Sequence, residues 1–387
     1  MRKDFLPLSK PTLKKEEINE VVSSMKSGWI TTGPKVIEFE KRLQEYTGAK
    51  HCIVLNSGTA GLHIALIALG IKAGDEVITT PMTFAATVNV IEHVGAKPVF
   101  VDINPDTMNI LEDQIEKKIT KKTKAIIPVH FAGQPCDMDR ILSIAKKHKL
   151  AVIEDAAHSI GTEYKGRKIG TLSDMTVFSF HPLKNITTGE GGLITTKSDK
   201  LNEELRLLRF HGITASAWDR YSKKGKVQYE LVIPGFKYNM LDIQAGIGIH
   251  QIGRLDGFIE KRTKLAELYN RELKNCDGIS IPGVVDYDCR HAWHLYIIKV
   301  NLEKLKISRN EFIDELKKFN IGTGIHFPAI HIQPYYRKKY GYKKNDYPES
   351  AFVSDRIISL PLYPRMKAAD VKYVSNAIKC ITEANKK

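Results

Sequence analysis

Short apolar runs alternate with amphipathic segments between about residue 50 and about residue 200. Runs rich in valine and isoleucine that end at polar or turn residues predict strands, and apolar positions three to four residues apart predict helices. The predicted strands are His51–Leu55, Glu76–Thr80, Lys97–Val101, Lys124–Val129, Ala151–Glu154, Met175–Phe180 and Gly192–Thr196, with helices such as Thr59–Leu69 and Met138–Lys147 between them. This alternation predicts an α/β domain around a mostly parallel seven-stranded sheet that is covered on both faces.

The pattern changes after about residue 200. A helix in "DKLNEELRLLRFHG" is followed by an irregular polar stretch through "YSKKGKVQY", and Asp242–Asn275 is predicted as one long helix. From about residue 280, "HAWHLYIIKV" predicts a strand, "SRNEFIDELKKFN" a helix capped by Ser308, and "AADVKYVSNAIKCITEANKK" a terminal helix. We therefore expect a large α/β domain over residues 1–250 and a smaller α+β domain over residues 251–387.

The chain carries a formal net charge of +15, which raises the question of nucleic-acid binding. Its lysines occur in separate pairs along the whole sequence, and no basic stripe with interleaved aromatic residues is present. A dispersed positive surface is typical of solubility and of mild attraction for anionic small molecules. The charge therefore argues against a nucleic-acid-binding protein.

The five cysteines are scattered and form no CxxC pair, so neither a zinc site nor a disulfide framework is predicted. No apolar run is long enough to span a bilayer, and the N-terminal "MRKDFLPLSK" has no apolar signal core. We expect a cytoplasmic protein with reduced thiols and no metal.

The first predicted strand runs into "NSGTAGLHIAL", a glycine-containing turn that enters a helix. Free amides and the positive end of the helix dipole make such a start a phosphate-binding site. The candidate donors are Ser57, Gly58, Thr59 and Ala60. An ordinary strand-to-helix turn remains the alternative, because many such turns contain glycine.

The fifth predicted strand ends in "VIEDAAH", which places two carboxylates at the tip of an apolar strand. Burying a charge without a partner is costly, so this placement is unusual. Side chains alternate across a strand, and Glu154 and Asp155 should therefore face opposite sides, with one of them at the site. The alternative for Asp155 is a helix N-cap.

The sixth predicted strand continues into "VFSFHPLKNITTGEGG", which offers Ser179 and Lys184 before a glycine-rich exit. A lysine that is desolvated at a strand end loses proton affinity and becomes a nucleophile for carbonyl groups. A lysine whose ammonium reaches into water is the alternative. Together, a phosphate cradle, a strand-end carboxylate and a strand-end lysine match the needs of pyridoxal phosphate, with Phe84 able to stack on its ring.

At these residues the chain resembles the sugar aminotransferases, pyridoxal-phosphate enzymes of fold type I that aminate nucleotide-linked keto-sugars. The resemblance covers nearly the whole chain through "SGWITTGPK", "NSGTAGLHIAL", "KAIIPVHFAGQP", "IEDAAHSIGTEYKGRKIG", "FSFHPLKN", "GEGGLI" and "IGTGIHFPAIH". Within the family, "FKYNMLDI", "HAWHLYII" and "HFPAIHIQPYYR" are similar to members that aminate a UDP-linked 4-keto-pentose for lipid A. The product would serve lipopolysaccharide or another surface polysaccharide.

The resemblance implies a role for each matching residue. Lys184 would bond to the cofactor aldehyde and Asp155 would hold the ring nitrogen. His158 would lie near the 3-hydroxyl and Phe84 on the ring, while Gly58, Thr59, Ala60 and Ser179 would bind the phosphate. It also implies a homodimer with shared active sites, L-glutamate as donor, and substrate contacts from Trp29, Thr31, His181, Lys237, His326 and His331.

The sequence departs from the family pattern at several positions. "GFKYN" places Lys237 and Asn239 where asparagine and arginine are more usual, so either one could reach the partner's phosphate. Phe84 stands where the pentose-type members have tryptophan, and Pro182 precedes the lysine with a fixed φ. Family members that act as dehydratases have histidine in place of the lysine, so Lys184 favours transamination.

Alternatives remain at the level of individual residues and of the whole protein. His326 and His331 could instead be solvated loop residues. His291 and His294 would lie on opposite faces of a strand, which favours a structural role over a metal site. The alternative substrates are UDP- or dTDP-linked 4-keto-6-deoxyhexoses, and the alternative functions are another pyridoxal-phosphate enzyme or a non-catalytic basic binding protein.

Overall fold

The computed structural model describes residues 2–214, 218, 220 and 228–387. Most of the polar stretch "YSKKGKVQY" therefore lies outside the described residues. Within the described part, no helix combines the length and the hydropathy that crossing a membrane requires.

All seven predicted strands form one sheet. They are β1 (His51–Leu55), β2 (Glu76–Thr79), β3 (Lys97–Phe100), β4 (Thr123–Ile126), β5 (Ala151–Asp155), β8 (Met175–Ser179) and β9 (Gly192–Thr196), and two short strands, β6 (Glu163–Tyr164) and β7 (Arg167–Lys168), pair outside the sheet. The order is β1-β9-β8-β5-β4-β2-β3, and only the pairings of β9 are antiparallel. The carboxyl ends of the other six strands therefore lie at one edge of the sheet.

Helices cover both faces of this sheet, as the continuous apolar runs predict. In chain order the helices are α1 (Lys15–Lys26), α2 (Pro34–Thr47), α3 (Gly58–Ala68), α4 (Ala85–His93), α5 (Glu112–Ile115), α6 (Met138–His148), α7 (Asp199–Arg209), α8 (Asp242–Ile252) and α9 (Leu255–Leu273). Alternate residues of β1 enter different cores: Cys52 and Val54 pack with α2, α6 and α8, whereas Ile53 and Leu55 pack with α3, α4 and α7.

A second core lies in the C-terminal part of the chain. It contains an antiparallel sheet of β10 (Ile279–Ser280), β12 (Tyr296–Val300) and β13 (Ile357–Leu360), with α10 (Arg309–Lys318), α11 (Pro334–Tyr340), α12 (Pro348–Ser354) and α13 (Ala368–Ala384) in the same region, while β11 (Cys289–Arg290) pairs with β6. The predicted cap is confirmed, because Ser308 and Glu311 form a capping box at the start of α10. The N-terminal Leu6 also packs into this core, whereas the boundary at residues 250/251 stays a prediction.

Two sequence predictions differ from the structure. The predicted helix Asp242–Asn275 is divided into α8 and α9 at Gly253, a residue of low helix propensity. In "HAWHLYIIKV" the strand begins only at Tyr296, because Trp293 has a φ of +45°, which interrupts an extended chain.

Candidate active site

The carboxyl ends of β1, β2, β5 and β8 surround a cavity of about 330 Å³. Open α/β sheets bind their ligands at this edge. Nine of the predicted site residues line the cavity: Gly58, Thr59, Phe84, Asp155, His158, Ser179, His181, Lys184 and His326. The topology therefore brings together residues that are more than 250 positions apart in the chain.

The start of α3 forms one wall of the cavity. Ser57 caps this helix by accepting a hydrogen bond from the amide of Ala60, at 3.1 Å. The amide of Ala60 thus already has a hydrogen-bond partner. Ala60 was predicted as a phosphate donor, but it does not line the cavity. Gly58 and Thr59 remain as first-turn amides without intrahelical acceptors. A Cβ on Gly58 would stand 3.2 Å from the Cβ of Ser179, which shows how closely the helix start approaches the end of β8.

Replacing Gly192 with alanine is expected to disturb this wall. A Cβ at Gly192 would lie 2.4 Å from the carbonyl carbon and oxygen of Ser57, so the helix start must move. We expect a destabilisation of about 1–3 kcal/mol and roughly tenfold weaker pyridoxal-phosphate binding. Thermal unfolding and cofactor titration measure both quantities. Gly257→Ala is the control, because nothing lies within 4 Å of its new Cβ and alanine favours the helix. Unchanged cofactor affinity in Gly192→Ala would contradict the predicted phosphate role of this helix start.

Asp155 occupies the tip of β5 and is almost fully buried. Its Oδ2 accepts a 2.6 Å hydrogen bond from Thr87, whose hydroxyl also pairs with Thr83, and its Oδ1 accepts from the amide of Ala157 at 3.1 Å. The chain that follows Asp155 forms turns, so Asp155 is not a helix N-cap. The carboxylate is therefore held by two donors and faces the cavity.

Glu154 points to the other side of the sheet, as the alternation along a strand predicts. It is fully buried and accepts hydrogen bonds from Ser173 at 2.6 Å and Thr176 at 2.8 Å, and it pairs with His130 at 2.8 Å. These contacts lower the pKa of Glu154 against the opposing effect of burial. Glu154 therefore belongs to the buried structure and not to the cavity.

Lys184 follows β8 in a turn that starts at His181. The amide of Lys184 donates to the carbonyl of His181 at 2.8 Å, and the amide of Leu183 donates to the His181 ring at 3.3 Å. Pro182 occupies the second position of this turn, where its fixed φ is favourable, so Lys184 still lines the cavity. Desolvation lowers the pKa of Lys184 to about 8, although the nearby charge of Asp155 acts in the opposite direction.

Besides His181, three further histidines line the cavity with Lys184: His158, His294 and His326. His158 accepts a hydrogen bond from the amide of Ala132 at 3.3 Å, and its ring centroid lies 4.3 Å from that of His294. Burial lowers the pKa of His158 and of His294 well below the usual range and lowers the pKa of His326 to about 4. All three imidazoles are therefore neutral near pH 7, and His326 is not a solvated loop residue.

Several residues that line the cavity or bind its side chains were not predicted as site residues. His294 was assigned to a strand, whereas the backbone before Tyr296 is irregular and turns its ring into the cavity. Phe327 lies nearly parallel to the ring of His158, with the two ring centroids 5.8 Å apart. Thr87, which binds Asp155, carries no signal in the sequence that separates it from other helix threonines.

Four predicted residues lie away from this cavity. Asn239 is buried and donates to the hydroxyl of Thr32 at 2.6 Å; both residues line a second cavity, of about 440 Å³. The indole of Trp29 donates to the carbonyl of Thr32 at 3.1 Å, and the carbonyl of Thr31 accepts a hydrogen bond from the backbone amide of Asp242. The exposed Lys237 lies over the ring of Phe210.

The structure places His331 differently from its predicted role as a substrate contact. Its side chain is fully buried, and its Nε2 lies 3.2 Å from the carbonyl oxygen of Lys344. The ring packs edge-on against Tyr347, in an aromatic cluster apart from the cavity. The side chain has no accessible surface in this structure, so the structure gives no support for His331 as a substrate contact.

The residues of the cavity fit pyridoxal phosphate. A helix start with two free amides, a carboxylate fixed by two hydrogen bonds, and a lysine of lowered pKa line one space. The buried Nδ1 of His294 has no hydrogen-bond partner among the described residues, so it can receive a polar group of a bound molecule. Phe84 is 59% exposed at the same cavity, where an aromatic ring can cover a flat ligand.

The DegT/DnrJ/EryC1/StrS aminotransferase family matches residues 11–379 of the chain. The chain belongs to this family. The match covers every residue of the cavity, and it confirms the predicted membership of the sugar aminotransferases.

Relatives and solved structures agree with this membership. The spore coat polysaccharide biosynthesis protein SpsC of Bacillus subtilis is 48% identical over 99% of this chain and 98% of its own length. The UDP-4-amino-4-deoxy-L-arabinose–oxoglutarate aminotransferase of Shewanella sediminis is 44% identical over 98% of each chain. The structure of Spr1654 from Streptococcus pneumoniae in its PMP form has a TM-score of 0.91 and 35% identity, and covers 98% of this chain and 99% of that chain. Spr1654 has also been solved in a PLP form.

These findings confirm the predicted fold type I and the predicted cofactor. This sugar aminotransferase is a pyridoxal-phosphate-dependent enzyme.

Proposed function

We propose that this aminotransferase moves an amino group from L-glutamate to a nucleotide-linked 4-keto-sugar. The first candidate is a UDP-linked 4-keto-pentose, and the Shewanella sediminis relative supports this choice by its name. The observation that carries the proposal is the half-buried Lys184, whose pKa of about 8 makes a neutral amine available beside Asp155. Phe84 stands where the pentose-type members have tryptophan, which weakens the pentose assignment, and a UDP- or dTDP-linked 4-keto-6-deoxyhexose is the second candidate.

The proposed roles divide the cavity between cofactor binding and proton transfer. Bound pyridoxal phosphate supplies an aldehyde and an electron-withdrawing ring. Gly58, Thr59 and Ser179 would hold its phosphate, Asp155 its ring nitrogen, and His158 its 3-hydroxyl. The hydrogen bonds from Thr87 and Ala157 keep the carboxylate of Asp155 in place.

Lys184 would work as the general base and acid of both half-reactions. The neutral Nζ takes the proton from the α-carbon of glutamate, and in the second half-reaction the same amine delivers a proton to the former ketone carbon of the sugar. One residue on one side of the cavity fixes the face from which that proton arrives. Because 2-oxoglutarate leaves before the sugar binds, we expect ping-pong kinetics.

The pH dependence of cofactor uptake tests the assigned state of Lys184. A lowered pKa means that the neutral, nucleophilic amine is present above about pH 8 and is lost as the pH falls through that value. We expect the rate of pyridoxal-phosphate uptake by the apoenzyme to rise roughly tenfold per pH unit below the midpoint and to level off above it. Stopped-flow absorbance measures this rate. A midpoint near the usual lysine value would contradict the desolvation of Lys184.

A homodimer with shared sites is part of the proposal. Asn239 and Lys237 cannot serve the cavity that holds Lys184 in their own chain, because they lie elsewhere. Exposed apolar side chains on α1, on α2 and on the loop between them, namely Ile18, Met25, Ile30 and Ile37, offer a surface that a second copy would cover. In this arrangement Trp29, Thr31, Lys237 and Asn239 contribute to the site of the partner.

A substrate panel tests the proposed reaction. The enzyme is incubated with glutamate and with UDP-4-keto-pentose, UDP- and dTDP-linked 4-keto-6-deoxyhexoses, or no sugar, and 2-oxoglutarate release is measured. We expect catalytic release with the pentose and a single turnover without sugar. A preference for hexoses would support the second candidate, and no spectral change of the bound cofactor with glutamate would refute the donor. Salt-sensitive nucleic-acid binding by a colourless protein would support the non-catalytic alternative.

A further inference from the structure

Arg262, in the middle of α9, is the largest of the fully buried side chains, with an exposed fraction of 2%. Its Nη1 donates to three backbone carbonyls, those of Trp293 and His294 at 3.2 Å and that of Leu362 at 2.8 Å. No carboxylate pairs with it in the described part of the chain. Burial lowers its pKa to about 10, so the guanidinium remains charged at neutral pH. An unpaired buried cation is costly, which makes a purely incidental placement difficult to explain.

A small cavity separates Arg262 from the turn that carries Lys184. It has a volume of about 10 Å³ and is lined by Ser9, Lys10, Pro11, Thr12, Pro182, Lys184, Asn185, Thr187, Gln251, Phe258, Arg262 and Pro364. Lys184 also lines the 330 Å³ cavity of the active site. Lys184 is thus the residue that the two cavities share.

Three residues that line this small cavity carry buried polar atoms without a hydrogen-bond partner among the described residues. They are the hydroxyl of Thr12, the Oδ1 of Asn185 and the Nε of Arg262. The volume is that of one water molecule, and a buried water needs two to four polar partners. Nε–H can only donate and Oδ1 can only accept, whereas a hydroxyl does either, so the ligand must both accept and donate. Water meets all of these conditions, whereas an anion would face the lone pairs of Oδ1.

We propose that this cavity is a binding site for one structural water, and that Arg262 is a positioning residue, acting on Lys184 through this water and on His294 through its backbone bonds. The water would join Arg262 to Asn185, which follows Lys184 directly and donates from its Nδ2 to the carbonyl of Ala292 at 2.8 Å. The backbone bonds of Arg262 hold the neighbouring residues 293–294. One cation therefore fixes the lysine turn and the histidine segment against each other. The positioning role rests on the proposed function of Lys184, whereas the water site does not.

The use of carbonyls and water in place of a carboxylate has an electrostatic consequence. Carbonyl dipoles satisfy the guanidinium without adding negative charge near the cavity. A carboxylate at this place would favour the protonated form of Lys184, whose function needs the neutral amine. The uncompensated charge of Arg262 also contributes to the lowered pKa of His294.

Crystallography of the holoenzyme tests the water site directly. We expect electron density for one water within hydrogen-bond distance of Thr12 Oγ1, Asn185 Oδ1 and Arg262 Nε, and its loss in Thr12→Val. Unfolding experiments test whether Thr12 and Arg262 are joined by this water. If they are, the changes in the free energy of unfolding caused by Thr12→Val and by Arg262→Met are not additive in the double variant. Additive effects, or a dry cavity, would overturn the proposed site. These measurements need no substrate, so an incorrect sugar assignment would not affect them.

Kinetics test the positioning role. Arg262→Met and Thr12→Val are each expected to lower kcat by roughly tenfold while KM for glutamate changes little, because positioning acts on the reacting geometry. Arg309→Met and Thr263→Val are the controls: Arg309 also donates to two backbone carbonyls, those of Ser354 and Ile357, and the hydroxyl of Thr263 binds only within α9. We expect the controls to lose stability but to keep kcat. If Arg262→Met does not fold, Thr12→Val still decides, and an unchanged kcat in that folded variant would overturn the positioning role.

Discussion

Replacing Lys184 with alanine is expected to lower the rate of transamination by on the order of 10³-fold or more, because one amine acts as both nucleophile and proton carrier. The change removes no hydrogen bond of the backbone turn, since the amide of residue 184 still donates to His181. We therefore expect the fold and the thermal unfolding temperature to be retained. Steady-state release of 2-oxoglutarate, together with circular dichroism, measures both properties.

Lys197→Ala provides the control for this substitution. Lys197 is an exposed lysine directly after β9, the strand next to β8, and it does not line the cavity. We expect it to keep the wild-type rate. Borohydride treatment of the wild-type holoenzyme should fix the cofactor covalently on residue 184, and Lys184→Ala should carry no label. A Lys184→Ala variant with most of its activity, or a label on another lysine, would contradict the assignment.

The sheet was predictable from the sequence because its strands are covered on both faces. Such strands read as apolar runs that end at polar or glycine-containing turns, as "HCIVL" does before Asn56. The predicted helix Asp242–Asn275 failed for a related reason, because the apolar periodicity continues through Gly253 and hides the break between α8 and α9. Periodicity identifies which side of a segment is buried, whereas a single residue decides where the segment ends.

The part of the site that follows the strands was also predictable. Ser179, Lys184 and Asp155 come from the ends of neighbouring strands, and the carboxyl ends of parallel strands lie at one edge. Predicting that these three side chains lie together required no knowledge of the C-terminal part of the chain. The resemblance to the sugar aminotransferases added roles to these positions.

The histidines show where prediction from the sequence stops. His294 and His331 belong to motifs that were recognised, yet the structure places both side chains differently from expectation. The irregular backbone around Trp293, with its φ of +45°, turns His294 into the cavity, and the aromatic cluster around Tyr347 buries His331. Both outcomes depend on packing between segments that are distant in sequence, which no local pattern encodes.

Replacing Asp155, one of the two carboxylates at the end of β5, is the second substitution for which we expect a large loss of activity. Asp155→Asn keeps the size of the side chain and can keep a hydrogen bond with Thr87, but it removes the negative charge that faces the cavity. If this charge holds a proton on the cofactor nitrogen, its loss weakens the electron-withdrawing ring, and we expect kcat to fall by on the order of 10²–10³-fold. Pyridoxal phosphate should still bind, because the phosphate contacts are unchanged. Rapid-mixing measurement of the glutamate half-reaction isolates this effect from sugar binding.

Glu154→Gln is a matched control, because Glu154 is the adjacent residue on the same strand and is also buried. Its carboxylate binds His130, Ser173 and Thr176 on the far side of the sheet, so its loss is expected to lower the unfolding temperature and to leave kcat within a few-fold of wild type. Two neighbouring carboxylates would then separate into one that serves the reaction and one that serves the fold. Equal losses of kcat in the two variants would show that the effect does not depend on which side of the sheet the charge faces, and that Asp155 has no specific role. A fall in stability without a fall in kcat for Asp155→Asn would lead to the same conclusion.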